Sequence, residues 1–312
     1  MTFHVHPIAF KAGRLKGLSF RLIASHYENN YGGAVRRLNA IRSDLAGLDA
    51  ATAPGFHLNG LKREELIATN SMLLHELYFD GLGGNGEPSD GALAQAIARD
   101  FGSFDRWRAE FAAMARALAG GSGWVLLSCS PRDGTLSNVW AADHTHGLAG
   151  GRLLLALDMY EHAYHLDFGS DAAAYVEAFM ANLHWPRLEG RFAGDAGHAR
   201  HDMIAPVLAR QRLESEPDLV VIDARMAADA AIVPVGLKGA LRAPPDRVEA
   251  VAAGLPRGSK AVVYCAWGFE IGNDCVARLR DHGIDAVAIA GGLGAWRADG
   301  LATEPLKEGD RA

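Results

Sequence analysis

Asp158-Met159-Tyr160-Glu161-His162-Ala163-Tyr164-His165-Leu166-Asp167-Phe168 follows directly on an apolar run, Leu153 to Leu157. That run has the length and composition of a buried strand. A carboxylate and an imidazole four positions apart therefore leave the end of a strand and enter the interior. A charge there is costly unless it is paired or bound to a metal. Two chemistries satisfy the pair. One is an Asp158–His162 hydrogen bond that pins strand to helix. The other is a metal site completed by donors from elsewhere in the chain.

On the N-terminal side, Ser19 to about Leu48 has helical periodicity, with Leu22, Ile23, Val35, Leu38, Ile41 and Leu45 forming a stripe and Ser19 as N-cap. His26 falls one turn after Leu22, on the inner side. Gly32-Gly33 interrupts the helix at a cost of about 1 kcal/mol per glycine relative to alanine, which predicts a kink or a close helix contact. Residues 51 to 60, with Pro54, Gly55 and Gly60, read as a connection. Lys62 to Gly81 reads as a second helix with Met72, His75 and Phe79 on one face. The two helices are expected to form an antiparallel hairpin.

After the break at Gly83 to Gly91 come expected helices over Asp90–Phe101 and Phe104–Leu118, the latter capped by Ser103. Strands are expected over Trp124–Ser130 and Thr135–Ala142, joined by the turn Pro131–Gly134. Leu153–Leu157 supplies a third strand, and a helix over Asp171–His184 follows behind Ser170. The order is a helical hairpin and then an α+β part.

The remainder differs in character. Ala193 to Pro217, with His198 and His201, reads as a polar linker holding a short helix over Met203–Leu213. Apolar strands at Leu219–Asp223, Ala261–Cys265 and Ala286–Ala290, with a helix over Gly272–His282, predict an α/β domain with a parallel sheet. Cys265 stands where a strand ends and a loop leads to a helix. Backbone N–H groups and the helix dipole favour a thiolate there, and ligands bind at the carboxyl ends of such strands.

The 312-residue length suggests more than one domain, and 49% hydrophobic with 22% charged residues can build sizeable cores. With net charge −6 and no basic run, neither a nucleic-acid nor a membrane partner is expected. The start lacks signal-peptide features, and no apolar run is long enough to span a bilayer. Cys129, Cys265 and Cys275 make no disulfide or zinc pattern, so a cytoplasmic location is expected. Cys129 and Cys275 read as packing residues.

Residues 14 to 194 resemble the iron/manganese superoxide dismutase family. Asp158-Met-Tyr-Glu-His-Ala-Tyr164 resembles the family's Asp-x-Trp-Glu-His-Ala-Tyr signature. Gly121-Ser-Gly-Trp124, Asp100-Phe-Gly-Ser-Phe104 and Tyr175-Val-Glu-Ala-Phe179 match in order, and His26 and His75 fall at the family's helical ligands. The resemblance implies one iron or manganese ion held by His26, His75, Asp158 and His162, a ligand set that suits either metal. It also implies superoxide as substrate and a metal cycling between +3 and +2. Trp124 would wall the pocket. Glu161 would reach the partner's ligand histidine in a homodimer, and Tyr164 would meet Asn30 across that interface.

Several positions depart from the family. Ala34 replaces a gateway tyrosine, Asn30 a histidine, and Asp80 an aromatic. The two places that can supply the solvent-binding glutamine hold Ser71 and His144, and His144 is the expected partner of metal-bound solvent. Gly169–Ala174 replaces an arginine-containing segment, which would weaken electrostatic steering.

Residues 214 to 306 resemble a rhodanese domain through Val221-Ile-Asp-Ala-Arg225, Gly239-Ala240, Val263-Tyr-Cys-Ala-Trp-Gly268 and Gly291-Gly-Leu-Gly-Ala-Trp-Arg297. This implies a persulfide on Cys265 and a sulfur donor or acceptor as partner. Glu270, in a loop without Lys or Arg, would raise the thiol pKa if it points inward. The expected layout is multidomain: residues 1–83 (helical hairpin), 84–194 (α+β metal-binding domain), 195–213 (linker) and 214–312 (rhodanese-like domain). Two alternatives stay open. One is a dismutase-like metal protein with altered activity. The other is a sulfurtransferase on a dimerising scaffold.

Overall fold

The computed structural model describes residues 2–194, 203–268 and 270–306. They cluster into two compact units. Of the described residues, the first comprises 2–3, 10–26 and 33–194, and the second 4–9, 27–32, 203–268 and 270–306. His198 and His201 lie outside the described residues, as do Phe269 and the side chain of Glu270.

The expected first helix is present in three pieces. Ser19 caps α1 (Phe20–Ser25), its hydroxyl accepting the Leu22 N–H at 3.1 Å. A π-helical stretch, His26–Tyr31, follows, and α2 runs over Gly32–Gly47. Helix α3 spans Gly55–Gly81, so the connection is shorter than expected and Gly55 and Gly60 are helical. Pro54 stands at the N-cap and presets the backbone for entry. The gain of a 27-residue helix outweighs about 1 kcal/mol per glycine.

Helices α4 (Ala92–Phe101) and α5 (Phe104–Ala117) follow, the second capped by Ser103. Strands β1 (Trp124–Cys129), β2 (Leu136–Ala141) and β3 (Arg152–Asp158) form an antiparallel sheet in the order β2-β1-β3. Every residue of β1 is buried, and Leu154 to Asp158 of β3 are buried with it. Fully buried Trp107, Phe111, Tyr175, Phe179 and Trp185 belong to the core of this unit. A short 3₁₀ turn (Glu161–Ala163) and α6 (His165–Phe168) continue from β3.

Helix α7 covers only Ala172–Met180, and its cap is Asp171 rather than Ser170: the carboxylate accepts the Ala174 N–H at 3.0 Å. A separate helix that the sequence reading missed, α8 (Trp185–Ala193), begins behind the imidazole of His184 and has Pro186 in its first turn. That proline cannot continue α7, which explains the break.

In the second unit, the stretch read as linker contributes β4 (Met203–Ile204) and α9 (Pro206–Ser215). Then come β5 (Val220–Asp223), α10 (Ala227–Ile232), β6 (Val235–Gly236), β7 (Leu241–Arg242), α11 (Val248–Gly254), β8 (Lys260–Tyr264), α12 (Glu270–Asp281), β9 (Asp285–Ile289), α13 (Gly292–Ala298) and β10 (Glu304–Pro305). Five strands pair in parallel in the order β4-β9-β8-β5-β7. Alternate strand residues enter two different cores. Ile222, Val263 and Ala286 pack with α11 and α12 residues, whereas Val221, Val262 and Ile289 pack with α9 and α13 residues. Helices thus cover both faces, as a parallel sheet requires.

Buried Asp223 and Arg225 pair at 2.6 Å beside Arg242. The N-terminal segments of this unit are tied together: the Tyr27 hydroxyl donates to His6 O, and His6 N–H donates to the Tyr31 hydroxyl, both at 2.7 Å. Gly32 is the glycine that makes a close helix approach, since a Cβ there would stand 2.7 Å from that of Ala298 in α13.

Candidate metal centre

Asp158 is the last residue of β3, paired across the ladder with Trp124. The turn before β1 is tight. Gly123 has φ +140, and a Cβ there would lie 2.4 Å from the carbonyl oxygen of Ala141. Its own carbonyl accepts Met159 N–H at 2.9 Å and sets the chain direction just after Asp158.

The two carboxylate oxygens of Asp158 are used differently. Oδ1 accepts the Tyr160 backbone N–H at 2.9 Å. Around Oδ2 stand His26 Nε2 at 3.1 Å, His162 Nε2 at 3.1 Å and His75 Nε2 at 3.5 Å. One donor atom from each of the four residues fits within 4.8 Å of all the others. The start of the π stretch, directly after α1, brings His26, α3 brings His75, and the turn after β3 brings His162. His26 and Asp158 are fully buried and His75 nearly so, whereas the side chain of His162 is 28% exposed and forms the open side.

The protonation states suit a cation. Burial, followed by the charge of His26, pushes the His75 imidazole down to about 3. Burial also lowers His26, against the pull of Asp158. Burial pushes the Asp158 carboxyl up, but the charge and hydrogen bond of His162 and the bonds from His26 outweigh it and hold the group well below the usual range. Near neutral pH the buried imidazoles are therefore neutral and the carboxylate is ionised. His75 Nδ1 donates to the Ser71 carbonyl at 2.6 Å, so its Nε2 carries a lone pair. That lone pair faces an anionic oxygen, an arrangement that a metal ion between them makes favourable. Three imidazole nitrogens and one carboxylate fit iron or manganese.

Around the four donors, Trp124 is fully buried with its ring edge-on to His75 at 5.2 Å. The His144 ring lies 5.7 Å from that of Trp124 and 6.3 Å from that of His75. Ser71, the other expected position, is buried on α3 and serves His75 through its carbonyl. Two groups were not anticipated. The Tyr175 hydroxyl donates to the Asp158 carbonyl at 2.8 Å, and the Tyr160 hydroxyl meets His144 Nδ1 at 2.9 Å. The tyrosine standing for tryptophan in the signature was the visible signal for the second. Asp80, where an aromatic is usual, pairs with Arg191 at 3.2 Å, and Ala34 is buried on α2.

Glu161 is exposed on the 3₁₀ turn, and Tyr164 is buried and stacked on Tyr175 at 5.3 Å. Asn30 lies half-buried in the π stretch. Cys265, in the second unit, is buried directly after β8, and its Sγ accepts the Gly268 N–H at 3.1 Å.

Among the described residues, no helix is long and apolar enough to cross a membrane. The family "Iron/manganese superoxide dismutases, C-terminal domain" matches residues 89–191. The chain is 66% identical over 193 residues to an iron superoxide dismutase of Cupriavidus metallidurans, which covers 62% of this chain and 98% of that protein. It is 36% identical to a manganese superoxide dismutase of Halobacterium salinarum (56% of this chain, 86% of that protein). It is 35% identical to an iron superoxide dismutase of Aquifex pyrophilus (58% and 87%). The chain belongs to the iron/manganese superoxide dismutases, a family of metal-dependent oxidoreductases.

Proposed function

We propose that this protein converts superoxide into dioxygen and hydrogen peroxide, with one iron ion held by His26, His75, Asp158 and His162. The observation that carries this reading is the approach of three imidazole nitrogens to one oxygen of Asp158. Iron is preferred to manganese because the 66%-identical relative is named as an iron enzyme. When bound, the metal supplies one-electron chemistry by alternating between +3 and +2. The chain's own part is to hold and orient. Ser71 fixes the His75 tautomer, Tyr160 N–H fixes the Asp158 carboxylate, and Trp124 walls the pocket. His144 hydrogen-bonds solvent there and relays a proton to the product, one ring nitrogen giving a proton as the other takes one up.

Metal analysis with a superoxide assay on the purified full-length chain tests the reading. We expect about one iron per chain and turnover, with both lost in Asp158→Ala. Iron retained in that variant, or no turnover by iron-loaded wild type, rejects it.

The exposed Glu161 and the adjacent Tyr164 support a homodimer built through this turn, with Asn30 as a contact for the tyrosine. Sedimentation equilibrium should give twice the chain mass. A monomer with unchanged activity rejects the dimer. Three unpaired thiols suit a reducing compartment, and we place the protein in the cytoplasm.

A rhodanese-like role for the second unit is favoured by Cys265 itself. It follows a central strand of a parallel sheet at its carboxyl end, with an N–H aimed at its sulfur. In this reading the thiolate attacks the outer sulfur of a persulfide or thiosulfonate donor. The donor's S–S bond breaks, and its remaining fragment leaves with the electron pair. Sulfur transfer that is lost in Cys265→Ala supports the role, and no transfer from thiosulfate or a persulfide donor opposes it.

A further inference from the structure

Tyr160 has a task that the metal ligands do not explain. Its backbone N–H is bound to Asp158 Oδ1, and its ring stacks on His162 with centroids 5.5 Å apart and planes 20° apart. The phenol is thus held from both sides, and its hydroxyl ends 2.9 Å from His144 Nδ1. His144 is held independently. Its carbonyl accepts Asn70 Nδ2 at 2.6 Å, and Asp143 Oδ1 accepts both the N–H and the hydroxyl of Thr145 in the same turn. Two anchored groups meet at one hydrogen bond.

Which of them donates decides the tautomer of His144. A phenol O–H, with pKa about 10, is a far stronger donor than a neutral imidazole N–H. An imidazole nitrogen lone pair is in turn a better acceptor than a phenol oxygen, whose lone pair is spread into the ring. We infer that Tyr160 is a positioning residue: its hydroxyl donates to His144 Nδ1 and holds the imidazole as the Nε2–H tautomer. The proton then resides on the ring nitrogen that does not face Tyr160. In the opposite arrangement His144 Nδ1–H would donate to Tyr160, whose own hydrogen would turn toward Ser122, the hydroxyl that interacts with the phenol and donates to Ala142 O at 3.1 Å. His144 would then offer a lone pair instead of a proton. The inference rests on the proposed role of His144 in proton delivery.

The test uses the full-length chain with ¹⁵N-labelled histidine, loaded with zinc, which is diamagnetic. Two-bond ¹H–¹⁵N correlations read the tautomer of each ring, and the signal that disappears in His144→Gln identifies His144. We expect Nε2–H in wild type and a shift toward Nδ1–H in Tyr160→Phe. The iron-loaded variant should keep wild-type metal content with kcat roughly 10- to 100-fold lower. An Nδ1–H tautomer in wild type, or an unchanged tautomer in Tyr160→Phe, overturns the inference. Failure of iron-loaded wild type to turn over superoxide overturns the dismutase reading instead, and the zinc-form spectrum still tests the Tyr160–His144 pair by itself.

Discussion

Asp158 divides its labour between two oxygens, one held by the backbone and one facing three imidazoles. This makes the metal-free protein acid-sensitive in a defined direction. His75 is depressed from 6.5 to about 3 by burial and by His26. A histidine with a lowered pKa in the fold binds fewer protons than in the unfolded chain. Its contribution to stability is therefore complete above about 6.5 and is lost as pH falls toward 3. We predict that the urea midpoint of the metal-free protein declines over that window. His75→Gln should flatten the decline, and an equally steep profile in the variant would refute the assignment. The four donors were legible because their residue types are rare in apolar stretches and their spacing matched a family pattern. Tyr160 and His144 were not legible as a pair. They lie sixteen positions apart across a loop, and no periodicity reports which turn residues come together.

At the level of elements, periodicity located the longer helices and strands, several errors fell at their ends, and short elements such as α8, α10, α11 and α13 were missed. The α7 cap moved by one residue from Ser170 to Asp171, because either side chain can accept an N–H and only the loop geometry selects one. Asp171→Ala should cost about 1 kcal/mol in denaturant unfolding. The turn into β1 is less forgiving. Gly123→Ala sets a Cβ against the backbone oxygen of Ala141, at a φ that side chains rarely adopt. We expect a loss of about 1–3 kcal/mol and, because Gly123 O holds the residue after Asp158, reduced iron content as well. Wild-type stability and iron content would contradict this. The π stretch left no signature that hydrophobic spacing could reveal, since its apolar residues fit an ordinary helix to within one position. In the second unit, Asp223→Ala leaves Arg225 buried without its carboxylate and should cost about 3–5 kcal/mol.

Over the whole molecule, the α-helical, α+β and parallel α/β parts appear in the expected order. Residues 203–215 read as linker because they are polar overall, yet Met203–Ile204 pairs with β9. A two-residue strand is too short to leave a pattern. If the two chemistries are independent, Cys265→Ala should leave iron content and superoxide turnover within about twofold of wild type. A large loss of turnover would show that they are coupled. The composition of the second unit, which takes residues 4–9 and 27–32 from early in the chain and the rest from residue 203 onward, carries a consequence for synthesis. A ribosome adding about 5–20 residues per second releases those early segments on the order of tens of seconds before the sheet they belong with exists. The nascent chain must carry them unfinished, with the first metal ligand, His26, adjoining one of them, until the last strands emerge.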